Sequence, residues 1–295
     1  MALLAKVRTR LALHPRKPVV GLFEGRNSSV LAGRSLDFVD LREYTPGDDI
    51  ADVDWRASAR HGGLLVKRYV ADRKHTVYVA VDTGRELAAL PIWDESFTKR
   101  DLAISVAGIF GWLAIKNGDY IGLVHLGADG PVISRPSTRE VDLERMLELI
   151  EATSQPRSPN QDALAVVDTV ISNIRRRAIV VLIVGDVDVN SAFEARLQRL
   201  VVQHEVVLIT LGDVDPTEPG RDSRTVRDLG TGRRFPGFAA TSAALAVEIA
   251  VDTAARADRR SALCAQLGVA HRHLTDESTL VDEVLDLVEG MRRVH

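Results

Sequence analysis

The 295 residues are enough for one large or two modest domains around a substantial core. Of these, 45% are hydrophobic and 27% charged, the balance of a folded globular chain, and 38 Lys and Arg against 41 Asp and Glu leave no basic excess for general nucleic-acid binding. The lone Cys264 excludes an intrachain disulfide and a multi-cysteine zinc site, and in "RRSALCAQLG" it reads as a small buried apolar residue.

The N-terminal "MALLAKVRTRLALHPRK" has too short an apolar core for a secretory signal and reads as a surface helix ending before Pro15. Residues 1–75 then form an irregular segment punctuated by Gly21, Gly25, Gly33 and Gly47, with short strands such as "LLVKRYV". A second domain, 76–295, opens on the β-branched strand Thr76–Val81. A helix over about 97–116 follows, stopped at Asn117-Gly118, and then the strands "DYIGLVHLG" and a weaker one near 132–134. Helices are expected at about 140–153, 163–173 and 191–203, with "AIVVLIVGD" and "EVVLITLGD" as strands. The stretch "TVRDLGTGRRF" reads as a hairpin, 242–267 as a long helix ending at Gly268, and Leu280, Val284, Leu287, Val288 and Met291 as one face of a last helix.

Alternating strands and helices predict an α/β fold, a doubly wound, mostly parallel sheet with helices on both faces. The longest apolar run, Leu102 to Ile115, falls short of the roughly 20 residues that a bilayer core demands, so no membrane span is expected. With one cysteine and no signal, the location expected is the cytoplasm.

Ligands of open parallel sheets sit beyond the carboxyl ends of the strands. Two strands end there in carboxylates, Asp82 and Asp186, which either hold Mg²⁺ or Mn²⁺ or cap the next turn. No phosphate-cradling loop and no nucleophile elbow is present, and "GTGRRFPG" lacks the dinucleotide spacing. His271 and His273 fall on one side of a strand, where surface imidazoles are expected over a metal half-site. The run Arg175–Arg177 complements a helix C-terminus.

The stretch "GRSLDFVDLREYTPGDDIADVDWRASAR" resembles the signature of the DUF58 family, often found with MoxR-type AAA+ ATPases. Its pattern is carried here by Arg42, Tyr44, Pro46, Gly47, Asp48, Asp49, Asp54, Trp55, Ala59 and Arg60, while the arginine usual after the Asp-Asp pair is replaced by Ala51 or Asp52. "KRYVADRKHTVYVAVD", "KRDLA" and "NGDYIGLVHLG" continue the likeness. The resemblance implies a von Willebrand factor A-like fold with a metal-ion-dependent adhesion site. That site departs from its pattern: Gly84 and Glu86 stand where two serines belong, and Gln161 where a threonine does. A degenerate site of Asp82, Glu86 and Asp186 remains for a Mg²⁺ or Mn²⁺ ion.

The resemblance implies a non-enzymatic adaptor that works with a MoxR-type ATPase on a protein client. A metal-dependent hydrolase at the altered site and a structural scaffold are the alternatives. Arg42 is expected to fork onto Asp48, Asp49 or Asp54, and Trp55 to bury its ring on the sheet domain, so that the charges fasten the N-terminal segment to the sheet edge or dock a partner.

Overall fold

The computed structural model describes residues 2–14, 36–71, 74–94, 96–160, 162–218, 226–237 and 242–293. Gly21, Gly25, Gly33 and Gln161 lie outside the described residues. The chain divides into two units, a smaller one over residues 23–74 and a larger one over residues 1–22 and 75–294.

In the larger unit a six-stranded sheet runs in the order β5-β4-β3-β6-β7-β8. Its strands are β3 (Thr76–Val81), β4 (Tyr120–Gly127), β5 (Gly130–Ile133), β6 (Ile179–Val184), β7 (Glu205–Leu211) and β8 (Ala270–Leu274). Only the edge strand β5 is antiparallel, paired with β4 through a tight turn. β3, β4, β6, β7 and β8 are parallel, as the expected doubly wound α/β fold requires. The central strand β6 is buried at every position, which accounts for its unbroken apolar sequence.

Three helices stack on one face: α1 (Leu3–Leu13), α3 (Lys99–Lys116) and α4 (Glu140–Thr153). The helix α3 is apolar nearly all round because sheet, α1 and α4 enclose it. Two glycines permit that closeness. A Cβ on Gly108 would lie 2.7 Å from Val7, and one on Gly111 would lie 2.5 Å from Leu143.

The initial helix therefore departs from the expected 1–75 segment: Leu4, Val7 and Leu11 are buried, and α1 belongs to the larger unit. Its first amides donate to Glu144, Leu3 N at 2.6 Å and Leu4 N at 2.7 Å, so a carboxylate from α4 supplies the missing cap.

On the opposite face α5 (Ala163–Asn173), α6 (Ser191–Gln203) and α7 (Ala243–Leu267) cover the sheet, with Val167, Leu182, Phe193 and Cys264 among the buried core residues. Cys264 is buried as expected, and burial raises its thiol to about 11. The amphipathic α8 (Leu280–Arg293) buries Leu280, Val284, Leu287, Val288 and Met291. No described helix is long and apolar enough to cross a membrane.

The smaller unit holds an antiparallel pair, β1 (Leu36–Glu43) and β2 (Leu65–Ala71), with a register shift between Phe38 and Asp40. Between them runs the signature segment, including the short helix α2 (Trp55–His61). Val53 bridges Val66, and Val53, Leu65 and Val66 are buried.

Candidate functional site

In the smaller unit each signature charge has a local task. Arg42 forks onto Asp48, with Nη1 at 2.8 Å and Nη2 at 2.5 Å from its two oxygens. Asp48 also accepts from Thr45 N and Thr45 Oγ1, so "TPGD" closes as a turn with Gly47 at φ 113°. The Arg42 guanidinium, then the Thr45 amide, hold the Asp48 carboxyl down at about 2.

Asp49 accepts from Ala51 N and caps a 3-10 turn at Ile50–Asp52. Asp54 caps α2, accepting from Arg56 N and Ala57 N, with Lys67 Nζ 3.7 Å away. Tyr44 N donates to Leu64 O, and Arg60 folds back on the Arg56 carbonyl.

These pairings include the expected fork of Arg42 onto Asp48. The carboxylates of Asp48, Asp49 and Asp54 are occupied by residues 42–67, within their own unit. Trp55 is the first residue of α2 and is 63% exposed.

In the larger unit, strand order reverses between β3 and β6, and the chemistry gathers beyond the ends of β3, β6 and β7. Asp82 follows β3, is 3% exposed and accepts from Asp162 N at 2.8 Å. Burial, together with the charges of Glu86 and Asp162, raises its carboxyl to about 7. Thr83 pins the neighbouring strand, with Oγ1 donating to Leu126 O and accepting from Leu126 N.

Asp186, beyond β6, is held by two cations from one face of α7. Arg260 Nη1 donates to Oδ1 at 2.6 Å, and Arg256 Nη1 lies 3.0 Å from Oδ2. Arg260 itself is 3% exposed. Glu86 turns toward the 226–237 hairpin, where a Cβ on Gly230 would meet its Oε1 at 2.4 Å, and burial raises its carboxyl too.

The expected ion site therefore does not fit. Among the described residues no three His, Cys, Asp or Glu side chains gather as metal ligands. Asp186 is neutralised by guanidiniums, Asp82 accepts a backbone amide, and Gly84 offers no side-chain oxygen. His273 is exposed, as expected of a surface imidazole, whereas His271 is half-buried, and both engage the Thr210 hydroxyl, at 2.9 and 3.1 Å respectively. Burial, then the Arg260 charge, depresses His271 to about 4, which keeps it neutral beside that arginine.

Beside these groups opens a cleft of about 840 Å³, walled by the start of α3, the loop after β7 and the hairpin. Lys99 is buried in its lining and donates to the carboxylate of Asp213. The hairpin, expected from "TVRDLGTGRRF", is closed by an Arg227–Arg234 bridge and seated by Arg85 Nη2 on Gly230 O at 2.6 Å.

Lys99, Asp213, Arg256 and Arg260 have no role in the sequence reading, though two signals point to them. A lysine opening an apolar helix opposes the helix dipole and calls for a carboxylate. Arginines four apart on α7 share one face.

The comparisons with known proteins agree with the opening signature. Uncharacterized proteins of Mycobacterium tuberculosis and Mycobacterium bovis are 27% identical over 217 residues, covering 72% of this chain and 65% of theirs. The chain thus spans under two thirds of those relatives' length.

Among solved structures, BatB of Bacteroides thetaiotaomicron matches with TM-score 0.43 at 11% identity, over 74% of this chain and 99% of that one. A von Willebrand factor type A protein of Catenulispora acidiphila matches with TM-score 0.39 at 12% identity, over 76% and 44%. A family model described as protein of unknown function DUF58 matches residues 40–260. With most of its length inside that match, the chain belongs to the DUF58 family.

Proposed function

We propose that the protein is a non-enzymatic, protein-binding adaptor that couples a client to a MoxR-type AAA+ ATPase in the cytoplasm. The cleft beyond the β3 and β7 ends carries this reading. Its buried lysine is committed to Asp213, and among the described residues no serine, cysteine or histidine lines it. What it offers is an apolar wall with an arginine-bearing rim, a surface for recognition.

The hydrolase alternative asks Asp82, Glu86 and Asp186 to share one divalent ion, and Asp186 already faces two guanidiniums. Co-expression with the MoxR-type ATPase, followed by size-exclusion chromatography, tests the adaptor role. Co-migration in at least one of the ATP, ADP and nucleotide-free states is expected, and separation in all three would contradict it.

A further inference from the structure

The hairpin over the cleft carries an electrostatic tension. Arg227 and Arg234 are cross-strand partners, and like charges placed opposite one another disfavour a two-stranded ribbon. Both are exposed, as is Arg233 beside them, and among the described residues none of the three is paired with a carboxylate. The other cations at the cleft are engaged: Lys99 holds Asp213, and Arg85 holds the Gly230 carbonyl. The free positive charge is thus concentrated on the ribbon, above an apolar wall that includes Leu90, Val214 and Phe235.

We infer that this cleft takes an acidic segment of a partner protein, its carboxylates between Arg227 and Arg234 and its apolar side chains against Leu90, Val214 and Phe235. The inference rests on the adaptor role proposed above and adds the chemistry of what is recognised. An arriving carboxylate relieves the arginine pair and gains forked, charge-assisted hydrogen bonds, while the apolar wall excludes water around them. Acidic residues alone would gain only screened surface contacts, so the recognised segment combines both kinds of side chain.

A random-peptide display selection on the full chain tests this, with the enriched peptides then measured by fluorescence anisotropy. Enriched peptides should mix Asp or Glu with large apolar residues. They should bind the Arg227→Glu/Arg234→Glu variant at least about tenfold more weakly, with an intermediate loss for Arg227→Gln/Arg234→Gln. Unchanged thermal melting of both variants shows that the ribbon still folds.

Peptides without an acidic excess, or equal binding to the charge-reversed variant, would overturn the inference. So would enrichment of no peptide, including the case where the wild type binds ATP or inorganic phosphate, which marks a phosphate site. If the ATPase still co-migrates with the protein in any of those cases, the failure is confined to the acidic segment; if it does not, the adaptor role fails with it.

Discussion

Lys99, in the first turn of α3, lies buried with its ammonium on the carboxylate of Asp213 beyond the end of β7. The pair joins a helix to the tip of a strand more than a hundred residues later. Its two ends differ, since Asp213 is 55% exposed and Lys99 only 3%.

That asymmetry sets the first prediction. Asp213→Ala leaves a buried ammonium without its main partner and should destabilise the protein by about 3 kcal/mol. Lys99→Met leaves a solvated carboxylate and an apolar stem in place, and should cost clearly less. Urea denaturation of the two variants and the wild type reads the order directly.

Asp82 gives a pH dependence with a definite sign. Its folded carboxyl sits at about 7, above the ordinary carboxylate value, because burial penalises the charged form. The folded state therefore holds a proton that the unfolded chain releases, and stability falls as pH rises from about 4 to about 7. Asp82→Asn removes that loss while keeping an oxygen for the Asp162 amide. Its stability relative to wild type should climb across that window by an amount on the order of 2–4 kcal/mol. Chemical denaturation at pH 4.5 and pH 8 checks it, and a constant difference would contradict the assignment.

Close helix packing supplies a third test. A methyl on Gly108 would press on the β-branched Val7, so Gly108→Ala should cost about 1–3 kcal/mol. The double variant Gly108→Ala/Val7→Ala should regain part of that loss. Additive losses would mean that the two positions do not share a contact.

In the smaller unit the signature residues separate by task. Asp54→Ala removes the cap of α2 and the carboxylate near Lys67, and should lower the melting temperature. Trp55→Ala exchanges an exposed ring and should shift stability by less than about 0.5 kcal/mol. A marked loss of melting temperature with Trp55→Ala, equal to that of Asp54→Ala, would contradict this division.

Much of the sheet was legible in the sequence because its strands are parallel and covered on both faces. "TVYVAV" and "IVVLIV" show the unbroken apolar runs that such burial requires. The ends of α3 and α7 were legible from Gly118 and Gly268, which adopt the left-handed conformation beyond each helix.

The placement of α1 was not legible. Its three buried positions read equally as a surface stripe, and the carboxylate that caps it comes from Glu144, some 140 residues away. The strand-tip carboxylates were visible as Asp82 and Asp186, but their partners lie on remote elements, and spacing along the chain holds no information about Arg260. The signature charges were legible as a group. Their division into fork, turn and cap depended on backbone geometry that residue types alone leave open.

The exchange of a cation site for arginines at Asp186 is tested most directly by titrating the full chain with Mn²⁺ and Mg²⁺, followed by calorimetry. No saturable heat is expected from the wild type with either ion, and Arg260→Met should lose stability on removal of the charge paired with Asp186. A stoichiometric, saturable Mn²⁺ or Mg²⁺ site in the wild type, abolished by Asp186→Asn, would contradict the account.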